Sequence, residues 1–298
     1  MTAPRWRSAA VADWEARGRY RQLAGHPIFT LEVPATGPER LEPLLVLHGF
    51  PTCSFDFHHV VGPLARGRRV LLVDLLGYGL SDKPDRPYTI DAQADVVSAF
   101  TEEIGLAEAA LLTHDMGDTV GGELLARQLE GRWPVEITRR VLTNGSIYIA
   151  MAHLSAGQEL LLSLPDERLA GDGLVDGATM AASLTATFSP GATVDPAELA
   201  ALWELIAHRD GHLLLPRLIR YIEERRRSEH RYTGAIEEHP SPLAVVWGPD
   251  DPIAVAPMAD RLHAARPDAP VTFLEGVGHF PMLEAPERFA AAAAARLT

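Results

Sequence analysis

The sequence predicts an α/β protein: a mostly parallel central sheet flanked by helices, with a helical segment inserted late in the chain. Short apolar runs at 44–47, 70–73, 110–113, 141–143, 243–247 and 271–274 are bounded by Gly, Pro and Asp and read as buried strands. Helical patterns alternate with them, which implies a parallel sheet covered on both faces. Between Asn144 and about Ile236 that rhythm stops, and helical stretches at 158–164, 197–207 and 213–227 follow one another with no convincing strand. The chain therefore divides into a first core part (1–145), a helical cap (146–236) and a second core part (237–298).

At 298 residues and 47% hydrophobic content, the chain can bury a large core without staples. A formal charge of -13, from 27 Lys+Arg against 40 Asp+Glu, argues against nucleic acid as a partner, since that affinity rests on basic side chains. A small, largely apolar organic substrate fits better. The single cysteine, Cys53, excludes an intrachain disulfide. Met1 to Ala10 lacks the apolar core of a signal peptide, and the Ala290 to Ala295 run is far short of the about 18 apolar residues of a membrane span. Cytoplasmic residence without membrane attachment is the expectation.

Two clusters read as structural. Arg217, Arg220, Arg225, Arg226, Arg227 and Arg231 are interleaved with Glu223, Glu224 and Glu229, the pattern of a solvated, ion-paired helix face. His208, Asp210 and His212 surround a turn-like Arg209-Asp210-Gly211 without metal-ligand spacing, and no metal or cofactor is expected.

The chemistry starts at Thr113-His114-Asp115-Met116-Gly117, where the strand at 110–113 meets a helical pattern at 120–129. A tight turn there lifts one side chain above the carboxyl edge of the sheet, and Gly117 lets the turn close. An Asp at a helix start is ordinarily a cap. Its company changes the reading. His48-Gly49-Phe50 follows an early strand, where a Gly-rich turn can aim a backbone N–H at an oxyanion. Gly77-Tyr78-Gly79 lacks the third glycine and the helix start of a dinucleotide site. Asp250 and Asp251 end a later strand, and His279 lies past the next, which gives the order nucleophile, acid, histidine.

With these motifs the chain resembles the epoxide hydrolase and haloalkane dehalogenase branch of the α/β-hydrolases. Within it, His114 to Val120, Leu142-Thr143-Asn144-Gly145-Ser146 and Arg220-Tyr221-Ile222 are most similar to the mesoderm-specific transcript-like group and its bacterial relatives. The resemblance implies an α/β-hydrolase fold with an inserted helical cap. It selects Asp251 as the acid, three residues after Gly248, and leaves Asp250 as a turn residue. Asp115 would displace at saturated carbon and form an aspartyl ester, which water, deprotonated by His279, would hydrolyse. The backbone N–H groups of Phe50 and Met116 would hold the oxyanion.

The leaving group separates the reactions of the branch. Related dehalogenases carry a tryptophan after the nucleophile and often a side-chain N–H near the early turn, where this chain has Met116 and Phe50, which have no side-chain donor. Epoxide hydrolases use a pair of cap tyrosines, of which Tyr221 matches the second. The first has no clear counterpart; Tyr148, His153 and Gln158 are the candidates. Conversion of an epoxide to a vicinal diol is the leading expectation. Haloalkane dehalogenation is the alternative, and a non-catalytic ligand-binding protein of the same fold is the second.

Overall fold

The computed structural model describes residues 5–171 and 173–298. Among them eight strands form one sheet: β1 (Arg19–Leu23), β2 (His26–Val33), β3 (Leu44–Leu47), β4 (Val70–Val73), β5 (Glu108–His114), β6 (Glu136–Thr143), β7 (Leu243–Trp247) and β8 (Val271–Phe273). Their order is β1-β2-β4-β3-β5-β6-β7-β8. Every pair from β4 through β8 is parallel, whereas β1 with β2 and β2 with β4 are antiparallel. Every residue of β3, β4 and β7 is buried, so both faces of the central sheet are covered.

The helices before the insertion are α1 (Ala9–Arg17), α2 (Val61–Leu64), α3 (Ile90–Glu103) and α4 (Met116–Leu129). Between β6 and β7 lie α5 (Ala156–Ser163), α6 (Gly177–Thr185), α7 (Pro196–Ala207), α8 (Leu215–Leu218) and α9 (Tyr221–Glu238). The chain closes with α10 (Pro257–Ala265), α11 (Pro281–Glu284) and α12 (Pro286–Arg296). Local chemistry sets the starts of the inserted helices. Ser155 and Gln158 form a reciprocal capping box on α5, while Asp176 and Asp195 cap α6 and α7 through their side chains. No described helix is long and apolar enough to cross a membrane.

The structure differs from the sequence expectation at three places. The hairpin of β1 and β2 adds an antiparallel edge, turning at Ala24 and Gly25, both at positive φ. Strand β6 begins at Glu136 rather than 141, because Arg139 and Arg140 continue the ladder. Arg140 is buried and donates to the carbonyls of Ile236, His239 and Ser241 at 2.9, 3.1 and 3.1 Å, tying the end of α9 to the sheet. The single helix expected at 213–227 is divided into a 3₁₀ segment (His208–Leu214), α8 and α9. Pro216 occupies the first turn of α8, where its missing N–H costs nothing, and would break a longer helix.

Helix α4 packs against β3, β5 and β6, and Gly117 in its first turn lies close against the end of β3. A Cβ there would stand 2.5 Å from the Leu47 carbonyl oxygen and 2.7 Å from that of His48, both backbone atoms of the adjacent strand and turn. Gly117→Ala is therefore expected to destabilise the fold by about 1–3 kcal/mol, the usual cost of overpacking, read as a lower urea midpoint. An unchanged midpoint would contradict this packing.

Candidate active site

Strand β5 delivers Asp115 to the start of α4 in a conformation that non-glycine residues rarely adopt, φ 50° and ψ −116°. The surroundings hold it there. Its N–H donates to the Thr143 carbonyl at 3.3 Å, its carbonyl accepts from Asp118 N–H at 3.0 Å, and Gly49 leaves the space its side chain occupies. Asp115 is 2% exposed, and its Oδ2 accepts a hydrogen bond from the Phe50 amide at 2.9 Å. Met116 opens α4, so its amide belongs to the first turn, whose N–H groups have no partner within the helix.

The other two groups follow β7 and β8. Asp251 Oδ2 meets His279 Nδ1 at 2.7 Å and accepts from Asn144 Nδ2 at 2.8 Å. Its Oδ1 accepts from the amides of Ile253 and Ala254 at 2.7 and 3.0 Å. Asp250, by contrast, is exposed in the turn. Burial alone would push the His279 imidazole down, but the charge and hydrogen bond of Asp251, then the charges of Asp115 and Glu284, outweigh it and raise it to about 9. The histidine loop is anchored from two sides. Thr187, just past α6, accepts from the His279 N–H at 2.9 Å, and His114 Nε2 lies 2.8 Å from the His279 carbonyl. Burial and then the His279 charge push His114 down to about 4, so it is neutral and Nε2 is the donor.

Several supporting residues escaped the sequence reading. Asn144 ends β6 at φ 47° and joins Asp251 to the Gly248 amide, which donates to its Oδ1 at 2.9 Å. His48 bridges the early turn, with Nδ1 on the Gly49 carbonyl at 2.9 Å and Nε2 accepting from Leu75 N–H at 3.0 Å. Tyr78 sends its hydroxyl to the Met116 sulfur at 3.3 Å, and burial together with the nearby Tyr221 and Asp115 pushes it well above the usual phenol range. Burial also pushes Asp118 well above the usual carboxylate range, and its Oδ1 accepts from the Thr113 hydroxyl.

The candidates for a leaving-group donor separate clearly. Tyr221 opens α9, is 3% exposed, and has its ring 5.8 Å from that of Phe50. Burial and then the Asp115 charge push its hydroxyl well above the usual range, against the opposing charge of Arg225. Gln158 lines the cavity, with its Oε1 accepting from Ser155 N–H at 2.9 Å. Tyr148 points elsewhere: its hydroxyl donates to Glu237 at 2.6 Å and the Arg261 guanidinium lies 4.0 Å over its ring. His153 is exposed, and its backbone N–H donates to the Ile253 carbonyl at 3.1 Å. Tyr148, engaged with Glu237, is corrected as a donor candidate.

The arginine run also needs one correction. Arg226 and Arg227 are exposed as a solvated face would be, whereas Arg217, Arg220 and Arg231 pair with acids through side chains only 15%, 12% and 30% exposed. Arg225 is instead 2% exposed, donates to Thr119 Oγ1 at 2.9 Å and the Ser146 carbonyl at 3.0 Å, and lies 5.1 Å over the Tyr221 ring. Among the three residues at 208–212, His208 contacts Arg5 at 3.2 Å and Asp210 pairs with Arg168 at 2.8 Å.

An apolar cavity leads to this centre. Phe50, Phe280 and His279 form its floor, and Leu161, Met180, Leu184 and Leu215 face them from the inserted helices, with Gln158 among the few polar groups. Such a lining suits an apolar substrate. The strand order, the turn after β5 and the acid and histidine after β7 and β8 define an α/β-hydrolase. The chain belongs to the alpha/beta hydrolase family, whose match spans residues 44–292.

Putative hydrolase LipZ of Mycobacterium tuberculosis is 38% identical over 295 residues, covering 98% of each chain. The mesoderm-specific transcript protein of Mus musculus is 32% identical over 300 residues, covering 95% of this chain and 86% of its own. Among solved structures, haloalkane dehalogenase DbeA from Bradyrhizobium elkani superposes with a TM-score of 0.73 at 22% identity, covering 94% of this chain and 97% of that one.

Replacing Asp251 by Asn removes the largest charge that holds the His279 proton and leaves burial dominant. The His279 titration midpoint, followed by imidazole NMR, should fall from about 9 to below the ordinary 6.5. A midpoint that stays near 9 would contradict the assignment of that shift.

Proposed function

We propose that the protein is an epoxide hydrolase working through an ester on Asp115, with Asp251 and His279 completing the triad. Asp115 attacks one ring carbon, the carbon–oxygen bond breaks, and the departing oxygen takes the Tyr221 proton, leaving a β-hydroxyalkyl ester and a phenolate. His279 then takes a proton from water as the oxygen attacks the ester carbonyl carbon. The oxyanion is held by the amides of Phe50 and Met116, and its collapse releases the vicinal diol and restores Asp115. The resting proton of His279, released once Asp115 is esterified, passes through solvent to the Tyr221 phenolate, and the proton then taken from water restores the imidazolium, so the sum is epoxide plus water.

The observation that carries this reading is the state of the Tyr221 hydroxyl. It is 3% exposed, its ring lies beside that of Phe50, and burial together with the Asp115 charge holds its proton. The raised His279 fits the same sequence of steps. Ionised Asp115 helps keep it protonated, and esterification removes that charge, releasing the base when the ester needs water.

Haloalkane dehalogenation is the second reading. The fold shared with a dehalogenase keeps it open, but the side chains of Phe50 and Met116 give a departing halide no N–H, which leaves Tyr221 as its donor.

The test is His279→Gln incubated with mixed epoxide and haloalkane panels and read by intact-protein mass spectrometry. An adduct of the whole epoxide mass on Asp115 is expected, formed on the order of 10²-fold more slowly when Tyr221→Phe is added. Adducts formed only from halides would support dehalogenation. A folded protein that acquires none, yet binds panel members and returns them unchanged, would identify a non-catalytic binding protein.

A further inference from the structure

Away from the cavity, two consecutive histidines of the core and a glutamate of α7 converge. Glu198 lies in the first turn of α7, and its Oε2 stands 3.5 Å from His58 Nε2 and 3.3 Å from His59 Nε2. The three ligand-type atoms all lie within 4.8 Å of one another, the one such group among the described residues. We propose that His58, His59 and Glu198 form a binding site for a divalent transition metal of the Zn²⁺ class, one that fastens the inserted helix α7 to the core.

The tautomer of His58 is set by its surroundings. Its Nδ1 lies 2.8 Å from the Phe55 carbonyl, so Nδ1 carries the proton and donates it, and Nε2 presents a lone pair to Glu198. A backbone carbonyl on the far nitrogen is the arrangement that orients metal-bound imidazoles. The ring is also fixed by stacking on Phe55, with centroids 4.1 Å apart and planes within 5°.

A lone pair facing a carboxylate needs a positive centre between them. A proton can serve one nitrogen–oxygen pair, yet two imidazole nitrogens meet the same Glu198 oxygen. A cation satisfies both at once. Two ligands each about 2.0–2.1 Å from a tetrahedral zinc stand about 3.3–3.4 Å apart, close to the two spacings seen here. Glu198 adds an independent sign: its second oxygen, Oε1, is buried without a hydrogen-bond partner. Nitrogen ligands with one carboxylate favour zinc over magnesium or calcium, which prefer all-oxygen shells.

The experiment is calorimetric titration of ZnCl₂ into the tag-free, chelator-stripped full chain, with MgCl₂ as control, together with thermal unfolding at each metal level. One site per chain of micromolar or tighter affinity and a zinc-dependent rise in Tm are expected, with no magnesium response. His59→Ala, at a side chain 47% exposed, and Glu198→Gln should each weaken zinc at least tenfold and abolish the Tm rise. Absence of a stoichiometric zinc site in the wild type, or wild-type affinity in either variant, would overturn the proposal. Neither substitution touches Asp115, Asp251 or His279, so the result is independent of the reaction proposed above.

Discussion

The backbone at Asp115 is the constraint on which the site depends. An L-residue at φ 50° and ψ −116° costs of order 1–3 kcal/mol and persists only where neighbours over-determine it. Here they do so from three sides: β6 through the Thr143 carbonyl, α4 through the Asp118 amide, and the early turn through Gly49 and the Phe50 amide. The conformation separates the Asp115 carboxylate from the capping role an aspartate usually takes at a helix start, since no side-chain cap bond is made to α4. Freed from the cap, the carboxylate faces the cavity side of the sheet, where the Phe50 amide and His279 lie.

The second layer is a set of neutral groups that hold charged ones. His48, His114 and Asn144 each use both ends of a side chain or a backbone contact to fix the loops bearing Phe50, His279 and Asp251. Because His48 and His114 are pushed down by burial, they add no positive charge that would compete for Asp115. The inserted helices join this layer through Thr187, which accepts from the His279 amide, and Ser189, whose N–H donates to Glu284 at 2.9 Å.

Much of this was legible in the sequence, for a physical reason. Buried parallel strands must be apolar on both faces, so β3, β4 and β7 appear as plain apolar runs, and a strand that ends in Asp-x-Gly before a helix announces its turn. The edge hairpin was not visible, because β1 is largely solvent-facing and alternates Arg19, Tyr20, Arg21 and Gln22. Arg225 was hidden by its neighbours: in an Arg and Glu rich helix each arginine has acids at helical spacing, and only packing shows that this one turns inward to Thr119 and the Tyr221 ring. Tyr148 and Gln158 are equivalent donor candidates in sequence, and long-range packing separates them: Tyr148 meets Glu237, whereas Gln158 lines the cavity.

The central claim is that Asp115 becomes covalently attached to substrate, and the origin of the product oxygen tests it most directly. One turnover with enzyme in excess over an epoxide, run in ¹⁸O-labelled water, should give an unlabelled diol. The label should appear in the Asp115 carboxylate, because water attacks the ester carbonyl and the first product oxygen comes from the enzyme. Label found in the diol of that first turnover, with none in the peptide bearing Asp115, would mean that water attacks the substrate directly and would contradict the account.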